Sequence, residues 1–293
     1  MYADADYVGI ADVWFCDLTS GGSVGKSVPV PLARDMELPD TVGGAPMRFD
    51  RGGLALSLEE ETAGTRLRVA FSGGATAGES GDGQRTGDLT ADVLVRRPPG
   101  HESLSVVIPW SEKRFQYTTK DVARPAEGTV RWGGRTYELA GDGASWGCLD
   151  FGRGKWPYRT TWNWGAGAGV AEGPSGPVTV GLQLGGKWTE GTGMTENALS
   201  VDGRLSKLSE ELVWAYDTAD WLRPRTIRTP GSDRVDLSFT PVYDKRTRLQ
   251  VGVAAQAVDQ CFGTYAGTVV PDDGDALAID GIVGWAEEAT WRW

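Results

Sequence analysis

The sequence predicts an all-β protein made of two β-barrel or β-sandwich units packed together. Hydrophobic and polar residues alternate with a period of two along many short stretches, which is the pattern of strands with one buried face. Glycine-rich turn signals separate these stretches at short intervals. The 293 residues include 42 glycines, and there are no long stretches of helix-forming residues. Many short strands joined by turns favour a barrel or a sandwich.

The alternation is clearest in four segments. In TRLRVAF, the side chains of Leu67, Val69 and Phe71 point to one face, and the arginines between them point to the other. The segments PVTVGLQLG, LVWAYD and RVDLSF repeat this pattern. Similar patterns predict further strands over residues 7–18, 92–97, 103–109, 128–140, 159–168, 249–258, 262–270 and 278–285. The segment 198–212 is a weak helical candidate, because its capping and periodicity are both poor.

We place the boundary between the two units after residue 124, because the segment DVARPAEG at 121–128 has the composition of a connector. The N-terminal unit then comprises residues 1–124 and the C-terminal unit residues 125–293. The segment 72–88 contains no apolar residue larger than alanine, which predicts a hairpin tip. Long loops of this kind are often functional, so a lid is a second interpretation.

The composition restricts the classes of partner. The chain has 29 Lys and Arg against 40 Asp and Glu, which gives a formal net charge of −11. This charge repels nucleic-acid phosphates and anionic membrane surfaces, so we expect neither as a partner. No apolar stretch approaches the ~20 residues that span a bilayer, and the N-terminal segment lacks the basic region of a signal peptide. Three scattered cysteines without a C-x-x-C pair favour reduced thiols, so we expect a cytoplasmic protein.

Two kinds of functional motif are excluded. The segment GGSVGKS at 21–27 is close to a phosphate-binding loop, but Ser20 occupies the first glycine position and prolines follow where a helix must begin. We interpret it as a hairpin turn. A single histidine, His101, excludes histidine metal clusters, and no G-x-S-x-G motif accompanies it. We expect His101 to be structural or solvated, and we expect neither a metal nor an organic cofactor.

The most informative segment is 149–199, where four tryptophans lie among several charged and amide side chains. Buried indoles need a partner for their N–H groups and buried charges need a counter-charge. A pocket lined with aromatic faces and a few polar groups supplies both, so we predict one in or beside the C-terminal unit. The predicted binding residues are Arg153, Trp156, Trp162, Asn163, Trp164, Lys187, Trp188 and Asn197.

Carboxyl groups close to tryptophans are the candidate catalytic residues. Burial against an indole raises the pKa of a carboxyl group, so that it can act as a general acid near neutral pH. We select Asp150, Glu190 and Glu196 as candidate proton donors, with Lys187 or Arg153 orienting a carbonyl group. The wider set of acids near tryptophans also contains Glu210, Glu211, Asp217, Glu287 and Glu288. The alternative is that these acids form structural ion pairs and that the tryptophans only fill a core.

Four long segments resemble a bacterial family of unknown function, DUF2804. They are HESLSVVIPWSEKRFQYTTKDVARPAEG (101–128), LDFGRGKWPYRTTWNWGAGAG (149–169), LGGKWTEGTGMTENALSVDGRLSKL (184–208), and QCFGTYAGTV with GWAEEATWRW (260–293). The resemblance implies two calycin-like or lipocalin-like units, distantly similar to the carotenoid hydratase, tocopherol cyclase and fungal Diels–Alderase group. Those relatives bind polyene or prenyl substrates. Because the family brings no settled reaction, the resemblance assigns no catalytic residue.

This chain departs from the family pattern in two places. Family members usually carry additional sequence before DYVGIADVWF, so we expect the first barrel to lack a strand, to be closed by the partner unit, or to be completed by a second protomer in a homodimer. In DWLRPRTIRTP, Arg225 stands where the resemblance implies a tryptophan. If that position lines the pocket, its character is changed in this chain.

The sequence therefore predicts a protein that binds a largely apolar polyene, prenyl or polycyclic small molecule. We expect it to act on this molecule as a cofactor-free cyclase, hydratase-type lyase or isomerase. A binding or carrier protein without turnover is the alternative. A carbohydrate-active enzyme is a weaker alternative, because it would need paired carboxylates ~5–10 Å apart.

Overall fold

The computed structural model describes residues 1–5, 7–77, 87–141, 144–251, 254–272 and 274–292. Every helix or strand element among them is a β-strand, which confirms the predicted all-β class. The chain divides into two compact units, one of Met1–Pro98 with Pro125–Ser145 and one of Pro99–Arg124 with Trp146–Trp293. The predicted boundary after residue 124 falls at one of the points where the chain passes from one unit to the other, and neither unit is one continuous segment.

The strands follow one another along the chain without intervening helices. They are β1 (Tyr2–Asp4), β2 (Val8–Asp17), β3 (Gly22–Pro31), β4 (Met47–Arg51), β5 (Leu54–Glu61), β6 (Gly64–Phe71), β7 (Ala75–Ala77), β8 (Leu89–Arg96), β9 (Leu104–Ser111), β10 (Arg114–Trp132), β11 (Arg135–Ala140), β12 (Trp146–Lys155), β13 (Arg159–Gly173), β14 (Gly176–Gly186), β15 (Asn197–Val201), β16 (Arg204–Leu208), β17 (Val213–Ala215), β18 (Arg225–Arg228), β19 (Val235–Val251), β20 (Ala254–Val269) and β21 (Leu277–Arg292). No helix in the described ranges could cross a membrane.

The first unit contains two antiparallel sheets. Their strand orders are β1-β2-β3-β7 and β11-β10-β8-β6-β5-β4, with β10 contributing its residues from Pro125 onward. Leu67, Val69 and Phe71 of β6 face one core, as their alternation predicts. Trp132 at the end of β10 is buried in the same core.

The second unit is built around one antiparallel sheet of nine described strands, which we call the large sheet. Its strand order is β16-β15-β14-β13-β21-β20-β19-β18-β17. The sheet curls, because one hydrophobic core joins residues from strands near both of its ends, including Leu208 of β16 and Ile227 of β18. Strands β9 and β12 pair with the first part of β10, and these three strands form the short sheet of this unit.

Residues 198–212 are not helical, and the predicted helix is wrong. Residues 198–208 belong to the hairpin of β15 and β16 instead, and residues 209–212 follow it without regular structure. Asp202 and Gly203 make its turn, both with positive φ (48° and 80°), which is the backbone that a tight two-residue hairpin requires. The Asp-Gly pair between two short alternating stretches therefore indicates a hairpin more strongly than the weak periodicity of 198–212 indicates a helix.

Other local predictions differ from the structure in smaller ways. The supposed connector at 121–128 lies inside the long strand β10, and GGSVGKS is mostly strand β3, which follows a turn at residues 18–21. The predicted strand 128–140 is a hairpin of β10 and β11. The predicted strand 249–258 covers the end of β19 and the start of β20, with residues 252 and 253 outside the described part. Residues 78–86, which make up most of the predicted hairpin tip at 72–88, also lie outside the described residues.

Gly128 of β10 gives a test of this packing. Its φ is 133°, and a Cβ there would overlap the Asp92 carbonyl oxygen and Cα of Val93. We expect Gly128→Ala to lower the free energy of unfolding by about 3 kcal/mol or more, since a backbone conformation open only to glycine costs about 1–3 kcal/mol before the clash is counted. The control is Gly134→Ala, where φ is also positive but nothing lies within 4 Å. We expect this control to cost about 1–2 kcal/mol. Equal losses in urea unfolding would contradict the close approach of β8 and β10.

Candidate functional site

The second unit holds three charged side chains in direct contact, which we call the charged cluster. Lys120 of β10 places its Nζ 2.8 Å from Asp150 Oδ2 and 3.5 Å from Glu196 Oε2. The side chains of Lys120 and Glu196 are 7% and 2% exposed, whereas that of Asp150 is 42% exposed. The cluster is therefore an ammonium ion held between a buried carboxyl and a solvent-accessible one.

Strand pairing and one glycine bring the three groups together. Thr118 and Lys120 share one face of β10, and Thr118 Oγ1 donates to Asp150 Oδ1 (3.3 Å) on the paired strand β12. Glu196 lies just before β15, and its side chain passes over Gly185 of β14. A Cβ at Gly185 would overlap Cγ and Cδ of Glu196, so this position needs glycine for Glu196 to reach Lys120.

Five tryptophans contact one another or the charged cluster, and we call them the indole wall. Trp156 and Trp188 stack in parallel with ring centroids 5.7 Å apart, and Trp110 contacts both of them at 5.3 and 5.7 Å. Trp162 meets the ring of Trp156 edge-on at 5.7 Å. Trp164 contacts the charged cluster directly, because Lys120 Nζ lies 4.3 Å from its ring centre in a cation–π contact.

Each indole N–H of the wall donates to a protein acceptor. The acceptors are the Trp188 carbonyl for Trp110, Gln116 Oε1 for Trp156, Glu287 Oε1 for Trp162, Gln183 Oε1 for Trp164 and Glu196 Oε1 for Trp188. Because the polar edges are all bonded, the rings are fixed in orientation and offer only their apolar faces to a ligand. Four of the five, all except Trp188, are only half-buried.

Burial sets the protonation of the carboxyl groups. It raises the pKa of Glu196 to about 7, against the opposing charge of Lys120 and with the help of the Asp150 charge. Burial likewise raises the pKa of Glu287 to about 7, against the hydrogen bond from Trp162. Burial alone would lower the pKa of Lys120, but the charges of Asp150 and Glu196 raise it well above its ordinary value. Lys120 is thus a permanent cation, and two carboxyl groups beside the wall can hold or release a proton near neutral pH.

Cys148 is a thiol close to the charged cluster. It lies on the same face of β12 as Asp150, two residues away, and its side chain is exposed. Desolvation raises the pKa of this thiol to about 12, against the opposing charge of Lys120. The thiol is therefore protonated at neutral pH.

Six of the predicted site residues come together here: Asp150, Trp156, Trp162, Trp164, Trp188 and Glu196. Asn197 is buried beside them but acts as a brace. Its Oδ1 accepts from the Gly185 N–H (2.6 Å) and its Nδ2 donates to the Glu210 carbonyl (3.0 Å). It therefore holds the strand ends that carry Glu196.

The other predicted residues lie elsewhere. Arg153 is on the opposite face of β12 from Asp150. Lys187 bonds Glu288 (2.5 Å) and the Tyr216 hydroxyl (2.8 Å), and Asn163 also donates to that hydroxyl (3.0 Å). Glu190 is exposed in the turn after Trp188, and no described contact joins its side chain to the charged cluster.

Sequence reasoning missed Lys120, which is the cation of the site. Its segment, QYTTKD, alternates too weakly to show that Lys120 is buried, and interpreting 121–128 as a connector removed this strand from the search. Glu287 belonged only to the wider set of acids. The register of β13 and β21, which pairs Trp164 with Glu287, is what places its carboxyl beside the indole wall.

His101 is buried, which agrees with the structural interpretation and not with the solvated one. Its Nε2 lies 2.9 Å from Asp121 Oδ1, and both side chains are buried. Arg124 contacts the other oxygen of Asp121 at 3.4 Å. Within the described ranges, no group of three or more His, Cys, Asp or Glu residues is arranged to hold a metal ion.

Fold and site together define an all-β protein with a buried acid–base cluster beside an indole wall. The whole chain, residues 1–293, matches the model of DUF2804, a domain of unknown function, so the chain belongs to that family. A search of curated proteins gave no match.

The solved structures that match this chain have low sequence identity to it. Kievitone hydratase from Nectria haematococca is 12% identical, with 100% of this chain and 82% of that chain covered and a TM-score of 0.52. A putative AttH from Nitrosomonas europaea is 14% identical, with 97% and 81% covered and a TM-score of 0.46. CghA with Sch210972 is 12% identical, with 100% and 86% covered and a TM-score of 0.35. The family prediction is confirmed, and the similarity to the hydratase shows a shared fold.

The raised pKa of Glu287 predicts a pH dependence of stability. Since the folded protein binds this proton more tightly than the unfolded chain, the contribution is present below the ordinary pKa of 4.5 and is lost as the pH rises through about 7. Glutamine does not titrate, so the stability of Glu287→Gln does not fall in this way as the pH rises. Between about pH 5 and pH 8, we expect its free energy of unfolding to gain on the wild type by up to about 3 kcal/mol.

Glu288→Gln is the matched control for this measurement. Burial alone would raise the pKa of Glu288, but hydrogen bonds from Lys187 and Tyr216 hold this pKa below its ordinary value. The difference between this variant and the wild type should therefore stay constant over the same pH range. Parallel stability curves for Glu287→Gln and the wild type would contradict the buried, protonated carboxyl.

Proposed function

We propose that the charged cluster and the indole wall form the active site of a cofactor-independent lyase, cyclase or isomerase. Its substrate is a largely apolar small molecule of the polyene, prenyl or polycyclic class. One observation carries the proposal: Glu196 is a buried carboxyl with a pKa of about 7, fixed by the Trp188 N–H and in contact with Lys120. A group with this pKa is suited to general acid–base catalysis at neutral pH.

The indole wall supports an apolar substrate that becomes positively charged during the reaction. With every N–H bonded inside the protein, the rings can bind a flat or extended hydrocarbon by contact with their faces. The same faces stabilise a cation, as Trp164 already does for the ammonium of Lys120. Fixed rings also hold a flexible substrate in one folded shape, which favours ring closure through proximity.

The proton balance of such a reaction uses both carboxyl groups. Protonated Glu196 gives its proton to a carbon–carbon double bond, and the resulting cation is attacked by water or by a second double bond of the substrate. The excess proton then passes to the carboxylate of Asp150, which opens to solvent. After product release, Asp150 gives the excess proton to solvent and Glu196 takes up another, while Lys120 remains a cation next to both carboxyl groups. If nothing attacks the cation and it instead loses a proton from another carbon, the double bond moves and the enzyme acts as an isomerase.

The fold supports this class of reaction. A hydratase, kievitone hydratase, has the same overall fold at a TM-score of 0.52. The arrangement argues against glycoside hydrolysis, because Lys120 occupies the space between Asp150 and Glu196 where a glycosidic oxygen would have to bind. A carrier without turnover is the second candidate, since Lys120 and Asp150 neutralise each other without a ligand when Glu196 is protonated.

The test compares the wild type with Glu196→Gln on a panel of polyene, prenyl and polycyclic compounds. Products are followed by liquid chromatography and mass spectrometry as isomers of the substrate or as molecules that have gained or lost one water. Loss of the general acid should lower kcat/KM by about 10²- to 10⁴-fold with little change in substrate binding. The wild-type rate should also fall as the pH rises above about 7, where Glu196 loses its proton.

Glu190→Gln is the matched control, because Glu190 is an exposed glutamate six residues before Glu196. We expect its turnover to equal that of the wild type. Binding of panel compounds, measured by quenching of tryptophan fluorescence, without turnover by the wild type would favour the carrier. Equal turnover in Glu196→Gln and the wild type would overturn the assignment of Glu196.

A further inference from the structure

A second pocket of the large sheet has a different chemical character, and we call it the arginine pocket. It is a cavity of about 460 Å³ at one end of β13, β19, β20 and β21. It is lined by Arg159, Arg248, Leu249, Gln250, Ala255, Gln256, Ala257, Thr290 and Arg292. Its volume lies in the range of small-molecule sites.

The pocket is separate from the candidate active site. The register of the strands pairs Arg159 with Arg292, Thr161 with Thr290, and Asn163 with Glu288. These positions alternate with those of Trp162 and Trp164, so the arginines lie on the face of the large sheet that points away from the indole wall. Further along the strands, the same face carries the hydrophobic core of the second unit.

The lining of the pocket carries positive charge. It has three arginines and no acidic residue. Arg248 is paired with Asp259, which lies outside the lining, through two bonds of 2.7 and 2.6 Å. No ion pair or hydrogen bond joins the side chain of Arg159 to a described residue, and Arg159 stands directly opposite Arg292 in the sheet. This concentration of guanidinium groups occurs in a chain whose net charge is −11.

We propose that the arginine pocket binds the oxyanion group of a small organic anion, a phosphate or diphosphate in preference to a carboxylate. Planar guanidinium groups bind such oxygens through paired hydrogen bonds. The Thr290 hydroxyl and the amide group of Gln250 supply further donors on the same face of the sheet. Ala255 and Ala257 provide an apolar surface for the organic part of the ligand. Guanidinium groups in a lining without acidic residues attract an anion, which is the physical reason for its binding.

Calorimetric titration with pyrophosphate, phosphate and acetate at low ionic strength tests the proposal. We expect the wild type to bind pyrophosphate most tightly and acetate most weakly. Arg159→Gln should weaken pyrophosphate binding by about 10- to 100-fold, the effect of losing hydrogen bonds to a charged group. Arg159→Lys keeps the charge but not the paired hydrogen-bond geometry. Its affinity for pyrophosphate should therefore lie between that of the wild type and that of Arg159→Gln.

The control is Arg228→Gln, which removes the same charge from an exposed arginine that pairs with Asp236 at 2.7 Å. Circular dichroism checks that each variant is folded. Equal losses in Arg159→Gln and Arg228→Gln would show non-specific attraction and overturn the proposal, as would wild-type protein that binds acetate and pyrophosphate alike or binds neither. Glu196→Gln should bind pyrophosphate like the wild type, which keeps this test independent of the proposed reaction.

Discussion

The candidate site depends on one buried interaction, the ammonium of Lys120 between the carboxyl groups of Asp150 and Glu196. Neither Lys120 nor Glu196 could be buried alone, because an isolated charge loses its hydration without compensation. Lys120 stays protonated, whereas the protonation of Glu196 near neutral pH is sensitive to small changes in charge and solvent access. Removing one partner of such a pair typically costs about 3–5 kcal/mol, since the other is left buried and uncompensated. The same sensitivity makes the cluster suitable for proton transfer.

The surroundings of this cluster are organised so that the carboxyl groups stay desolvated while the rings stay fixed. The Trp188 N–H bonds Glu196, and the Trp162 N–H bonds Glu287, so two indoles orient the two carboxyl groups whose pKa values lie near neutrality. Gly185 leaves room for the Glu196 side chain. The two indole hydrogen bonds and Gly185 each have a local structural role. Together they produce a polar centre beside apolar ring faces.

The large sheet separates three environments by alternation and by position along its strands. One face carries Trp162, Trp164 and Glu287 towards the charged cluster. The other face packs a hydrophobic core around Phe239 and Tyr265, both fully buried, and continues into the arginine pocket at the strand ends. A single antiparallel sheet can therefore present an acid–base site, a core and a cationic pocket without a change of fold.

Local pattern was sufficient for much of this protein and insufficient for the rest. Alternation in the sequence determined the all-β class, the inward faces of strands such as β6, and the opposite directions of Asn163 and its neighbouring tryptophans, because the side-chain period of a strand is fixed by backbone geometry. The density of tryptophans and acids located the region of the site. Only the tertiary structure decided that Lys120, from a strand far earlier in the chain, meets Glu196, and that Lys187 and Arg153 do not. Such contacts depend on strand register and sheet curvature. Both arise from packing between distant segments, so they cannot be recognised from the residues nearby in sequence.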